Sequence, residues 1–248
     1  ILVGALPIAF VWAADYEKGL KAYIEGDFAT SHIEWIALAK EGNVRAQKRL
    51  GDLYFGGEGV DKSLEEAERW WRQAAMSDDL EAQHNMGVLL GQDSPLKNIS
   101  EANLWFESAA NAGFSLSQRQ LGITAFNQGV GSDIEKEKKR YFDIAEVWLR
   151  KASKQGDAGA KFNLARLLYQ TSDPKSEIPT LLLVSAESGY RDARFTLMKS
   201  YLDGSNGIEK DLQRSHEIAM ALVDEGDLPA LQQVCLNYRG VGGFEKDI

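Results

Sequence analysis

The side chains that could make an enzyme are few in this chain, and they do not stand at the spacings that catalysis or metal binding requires. His32, His84 and His216 lie 52 and 132 residues apart, with no metal-ligand spacing joining them. Cys235 is the single cysteine, so neither an intramolecular disulfide nor a Cys-x-x-Cys zinc site can form. The pairs Glu65/Glu66 and Asp78/Asp79 are of the right type for acid–base work, but they fall at a helix start and in a loop. Negative charge at those places favours the helix dipole or stays solvated. No GxSxG, HExxH, GxxxxGKS/T, GxGxxG or EF-hand loop occurs. The expectation is a protein with no catalytic residues and no cofactor or metal. Asn98-Ile99-Ser100 fits a glycosylation sequon, which matters only in a eukaryotic secretory setting.

What the chain does offer is binding chemistry. Arg119, Phe162, Arg166, Phe195 and Lys199 combine guanidinium groups that can pair with a carboxylate, an ammonium group and two large apolar rings. These five can act together only if the elements that carry them bring them to one surface. Composition sets the frame for that question: 44% of residues are hydrophobic, 26% charged and 10% aromatic, with 23 Gly against 5 Pro. Such a balance describes an ordered globular chain rather than a disordered or collagen-like one. The formal charge of −9 argues against sequence-independent nucleic-acid binding, which needs Lys and Arg to replace phosphate counterions.

The organisation is repetitive. Small residues at 46, 82, 117, 160, 193 and 230 (Ala46, Ala82, Ser117, Ala160, Ala193, Ala230) recur at spacings of 36, 35, 43, 33 and 37 residues. Each is followed four residues later by an apolar residue, with a glycine next in Leu50-Gly51, Met86-Gly87 and Leu121-Gly122, and then by Leu164-Ala165, Leu197-Met198 and Val234-Cys235 in the later units. Trp70, Trp105, Trp148, Leu181 and Ile218 stand twelve residues before the next anchor, often followed by a second bulky residue. Four residues before an anchor stands Gly42, Gly113, Gly156, Gly189 or Gly226, with Asp78 the exception, where a helix C-terminus calls for positive φ. Periods of this size mean stacked helical units. The first helix of each unit carries small or apolar residues at offsets 0, 4, 7 and 8 from the anchor, which paints one face. Glycines such as Gly56, Gly57 and Gly59, Gly129 and Gly131, or Gly204 and Gly207 then reverse the chain. The second helix opens on a capping-box pattern at Ser63/Glu66 and Asn98/Glu101. The charged run Glu135 to Arg140 accounts for most of the seven-residue excess of the third unit and is read as a longer loop or helix extension.

The run Ala46-Gln47, Leu50-Gly51, Tyr54, Gly57, Gly59-Val60, Glu66-Ala67, Trp70, Ala74-Ala75, Ala82 resembles the Sel-one-like repeat (SLR), a relative of the tetratricopeptide repeat. Gly26 to Thr30 and Glu34-Trp35 open the array as in many exported bacterial SLR proteins. The resemblance implies an all-α fold, a right-handed α-solenoid of stacked helix–turn–helix repeats, acting as a scaffold for protein–protein contacts and having no shared catalytic residues. The division expected is a signal-peptide remnant over 1–13, an N-terminal helix pair over 14–45, five repeats over 46–229 and a truncated further repeat over 230–248. Gln92 to Pro95 and Thr171 to Pro174 replace the glycine loop in units two and four.

Two other functions stay open at this point. Some cysteine-rich SLR proteins look like β-lactam-binding proteins, but those carry paired cysteines in every unit. A eukaryotic lumenal quality-control adaptor would share both the repeat and the leader. The binding reading rests on offsets 2 and 6, which lie opposite the packing face of each first helix. In a superhelical array they form a continuous concave strip that joins Arg119, Phe162, Arg166, Phe195 and Lys199, with the two Phe adjacent. An acidic peptide or protein fits that strip.

Residues Ile1 to Trp12 carry no charge and run into Ala13-Ala14-Asp15. Twelve apolar residues are too few to span a bilayer, and with Val11 and Ala13 at −3 and −1 they read as the end of a secretory signal peptide. The mature chain is therefore expected to have no membrane span and to be periplasmic or secreted. N-terminal sequencing of the exported protein, expressed from its native start, should find Ala14 first; a retained Ile1–Ala13 segment would refute this.

Overall fold

In a computed structural model the described residues are 14–171 and 177–236, with side chains to 232. Residues 1–13, expected as a signal-peptide remnant, residues 172–176 and residues 237–248, expected in a truncated further repeat, lie outside them. Thirteen α-helices and no strand occur among the described residues. The chain divides into two compact units, one ending at Ala112 and the other beginning at Gly113. The first unit holds α1 (Tyr16–Ile24), α2 (Phe28–Lys40), α3 (Val44–Gly56), α4 (Leu64–Ala75), α5 (Leu80–Gly91) and α6 (Ile99–Asn111). The second holds α7 (Ser115–Val130), α8 (Glu135–Lys154), α9 (Ala158–Thr171), α10 (Ile178–Glu187), α11 (Arg191–Asp203), α12 (Leu212–Asp224) and α13 (Leu228–Leu236). Within each unit every helix packs on the next in sequence, as a stack of helix pairs requires.

The anchors hold the stack together. Ala46, Ala82, Ser117, Ala160, Ala193 and Ala230 are all 0% exposed, since a larger side chain there would push the neighbouring helix away. The glycines four residues before them have φ between 80° and 100°, and Asp78 takes the same left-handed turn at φ 61° despite its Cβ.

The apolar-then-small step of the first helix works as a slot for the second helix. A Cβ built on Gly51 would lie inside the indole of Trp71. One on Gly87 would come 2.6 Å from the ring of Phe106, and one on Gly122 2.7 Å from Leu149. It is the second of the two bulky residues that enters the slot. The indole of Trp71 then reaches back and donates from Nε1 to Lys48 O at 3.2 Å. The opening pair repeats this geometry: Gly19 on α1 receives Trp35, whose Nε1 donates to Tyr16 O at 3.2 Å. In both pairs the accepting carbonyl lies three residues before the slot glycine.

Three second helices, α4, α6 and α12, are tied down at their starts. Ser63 and Asn98 accept from the backbone N–H of Glu66 and Glu101 at 3.1 and 3.2 Å, as the capping pattern predicts. Their own N–H groups do not receive the reciprocal glutamate of a capping box. They donate instead to Tyr54 O and Leu90 O of the preceding helix, and Asp211 does the same to Tyr201 O. Each of these carbonyls sits at offset 8 from its anchor, so one position fixes where the second helix begins.

In the third unit the charged run extends a helix, the second of its two expected readings, and the glycine turn expected there is not found. Its extra residues lengthen α7 to 16 residues and α8 to 20, and Gly129 is helical, with the ring of Phe142 2.5 Å from where its Cβ would be. Gly131 has φ −82°, so neither glycine reverses the chain by a left-handed turn. A helical Gly→Ala change is normally favourable by about 1 kcal/mol. At Gly51 the sign should invert, with a loss of about 1–3 kcal/mol from overpacking against Trp71. Gly91→Ala, whose Cβ would meet nothing closer than 3.9 Å, should be neutral or stabilising in the same chemical denaturation experiment.

Candidate functional site

Within the second unit, α7, α9 and α11 place the sequence-predicted binding residues, and they do not present them all to solvent. Phe162 is 7% exposed, with its ring 5.4 Å from that of Tyr190 at the start of α11. Arg119 is half-buried, and its Nη1 donates to Asp157 Oδ1 at 2.9 Å. Phe195 is partly buried and packs against the core formed by Met198 and Ala219. Only Arg166 and Lys199 are exposed. Phe162 and Phe195 belong to different apolar clusters and do not make the shared open patch.

The reason is the direction in which offset 2 points. Asp157 caps α9, accepting from the Ala160 N–H at 2.7 Å, and Tyr190 is the N-cap residue of α11. Arg119 and Phe162, both at offset 2, each reach the N-cap position of the following unit's first helix. In the first unit Lys48, also at offset 2, reaches Glu81 at 2.8 Å, beside the next anchor. Offset 2 is therefore a seam position, and Lys48 is 7% exposed rather than on an open strip. Offset 6, one turn further on, is the position left open in α9 and α11.

What remains is a cleft of about 250 Å³ whose lining includes Phe126, Arg166, Tyr169, Ile178, Leu182 and Thr196. The Arg166 guanidinium lies 5.1 Å from the ring centre of Phe126 and 5.8 Å from that of Phe162, and its Nη1 donates to Asn163 Oδ1 at 3.1 Å. The lining contains no carboxylate, and among the described residues none pairs with Arg166. Lys199 stands one helical turn from Thr196, so a second cation flanks the cleft. Tyr169, 63% exposed, is the member that sequence reasoning missed. Its signal was a displacement of one residue: Leu168 fills offset 8, where Tyr54 stands in the first repeat, and turns the tyrosine outward.

The histidines do not gather into a catalytic group. His32 contacts Tyr54 Oη through Nε2 at 3.1 Å, and burial together with the charge of Lys40 pushes its pKa down. Among the described residues no three His, Cys, Asp or Glu side chains are placed to hold a metal ion. No helix among them is long and apolar enough to cross a membrane.

A family model for the Sel1 repeat matches residues 44–79, 80–114, 115–157 and 199–218, more than half of the chain. The chain belongs to the Sel1 repeat family. The matched stretches of this Sel1 repeat chain leave out residues 158–198, which carry α9, α10 and the start of α11. An uncharacterized protein of Neisseria meningitidis serogroup B is 28% identical over 184 residues, covering 74% of this chain and 35% of that protein. The chain thus spans about a third of the length of that relative. A Sel1 repeat protein from Oxalobacter formigenes shares the fold with a TM-score of 0.79 at 22% identity, over 94% of each chain. An immunity protein from Pseudomonas aeruginosa is similar with a TM-score of 0.57 at 19% identity, over 86% of this chain and 83% of its own.

The burial of Phe162 separates structure from recognition. Phe162→Ala should cost about 3–5 kcal/mol of stability, as expected for a truncated core aromatic, whereas Lys199→Ala should stay within about 0.5 kcal/mol of wild type. Urea denaturation of the two variants compares them, and equal costs would mean that Phe162 does not carry the seam.

Proposed function

We propose that this Sel1 repeat chain is a non-catalytic scaffold for protein–protein contacts, exported to the bacterial periplasm or cell surface, and that the α9–α11 face of its second unit seats an acidic peptide or protein segment. The observation that carries the reading is Arg166, an exposed guanidinium without a carboxylate partner among the described residues, set over an apolar cleft. Packing on the rings of Phe126 and Phe162 holds the guanidinium plane, which prepares it for paired hydrogen bonds to a carboxylate. The apolar lining accepts a neighbouring side chain of the same segment, and Lys199 adds a second positive charge on a chain of net −9. Export is supported by the uncharged run from Ile1 to Trp12. Partner binding within the family is a matter of scaffolding, and the fold offers stacked helices whose outward side chains vary from repeat to repeat.

The test begins with a pull-down from the envelope fraction and continues with calorimetry on the isolated partner. Replacing Arg166 and Lys199 together by Ala should weaken binding by roughly 2–4 kcal/mol without lowering the unfolding midpoint. An unchanged affinity would remove the partner from this face.

A further inference from the structure

A second cavity, in the first unit, has the opposite chemistry. Its volume is about 260 Å³, and it is lined by three aromatic side chains (Tyr23, Phe55 and Trp71), two carboxylates (Asp52 and Glu58) and the amide of Asn85, with Val88 also contributing. No Lys or Arg lines it. The rings of Phe55 and Trp71 stand 5.2 Å apart at an angle of 42°. Asp52 is held in place: its Oδ1 accepts from Trp71 Nε1 at 3.0 Å and from Asn85 Nδ2 at 3.4 Å.

The electrostatics of the surroundings are negative. Lys48 and Arg49 approach Asp52 Oδ2 at 3.7 and 3.4 Å, but Lys48 is committed more closely to Glu81 at 2.8 Å. Asp52 and Glu81 thus engage both cations, and Glu58 adds a further carboxylate to the lining. The Tyr23 phenol is pushed up by burial, by the charge and hydrogen bond of Glu58 and by the charge of Asp52, against the opposing charge of Arg49, whose guanidinium lies 5.8 Å from the ring centre. Residues 1–112 hold 18 Asp and Glu against 10 Lys and Arg, so the unit carries −8 of the chain's −9.

We propose that this pocket binds a cationic side chain, arginine in preference to lysine, presented by a peptide segment of a partner protein. Aromatic faces attract a cation through the ring quadrupole, and a guanidinium also stacks flat on them. Apolar walls take the methylene stem, while Glu58 and Asp52 receive the charged end. An anionic group would be repelled by Glu58 and Asp52 with no cation in the lining to pair with it, and a neutral apolar one would take solvent from Glu58 without replacing it. This inference does not rest on the Arg166 cleft, which belongs to the other unit and selects the opposite charge.

The test uses the whole chain, labelled with nitrogen-15, and three blocked peptides: acetyl-Ala-Arg-Ala-amide, the lysine peptide, and the same sequence with norleucine. Saturable shifts of the Trp71 indole N–H and the Asn85 side-chain amide are expected with the arginine peptide, at an affinity about tenfold or more above that of norleucine. Glu58→Gln, which leaves the Trp71 hydrogen bond to Asp52 untouched, should reduce that affinity about fivefold or more, and Asp52→Asn should do at least as much while still accepting from Trp71. Arg166→Ala should leave the titration unchanged. The absence of a saturable shift, an equal response to norleucine, or full affinity in Glu58→Gln would overturn the proposal.

Discussion

The seam between the two helices of a repeat depends on an atom that is absent. Where Gly51 lacks a Cβ the indole of Trp71 lies on the backbone of α3, and the same is true of Gly19 with Trp35 and Gly87 with Phe106. A glycine inside a helix costs about 1 kcal/mol against alanine. The close approach returns more than that, because a large ring becomes almost wholly buried and its N–H finds a main-chain acceptor. The site chemistry follows from this packing: Trp71, seated in its slot, orients Asp52, and the helix spacing that it sets leaves the cavity beside Tyr23 and Phe55.

Much of this was legible in the sequence, and the rest was hidden for a definite reason. The anchors, the left-handed turns and the starts of α4 and α6 announce themselves because one residue type satisfies a local backbone requirement, as Gly42 and Ser63 do. Even the exception, Asp78, lies in the conformation that its place in the repeat demands. The faces of the first helices were harder. Lys48, Arg119 and Phe162 look like surface residues within one unit, and only the position of the next unit's N-terminus buries or pairs them. A helical wheel describes one helix against one partner, whereas a first helix in a stack also meets its successor. Tyr169 escaped notice for the reverse reason: a single-residue offset from the repeat pattern moved an expected core ring to the surface.

Charge is divided unequally between the two compact units. The first carries nearly all of the net negative charge, and its cavity is lined by carboxylates and rings; the second is close to neutral, holding 19 Asp and Glu against 18 Lys and Arg, and its cleft exposes a guanidinium. One repeat pattern thus serves two recognition chemistries. At offset 6 the two units differ: Asp52 is held by Trp71 in one, while Arg166 and Lys199 are exposed in the other.

The contacts that link successive repeats also have a direction. Arg119 loads the cap of α9 through Asp157, and Phe162 packs on the N-cap residue of α11, so each repeat prepares the start of the one that follows it. Helix initiation is the costly step in forming a helix, and here the preceding repeat supplies part of the nucleus. Folding within the second unit should accordingly spread along the chain toward its C-terminal side through short-range steps, as a zipper closes from one end, rather than condense around a single distant nucleus.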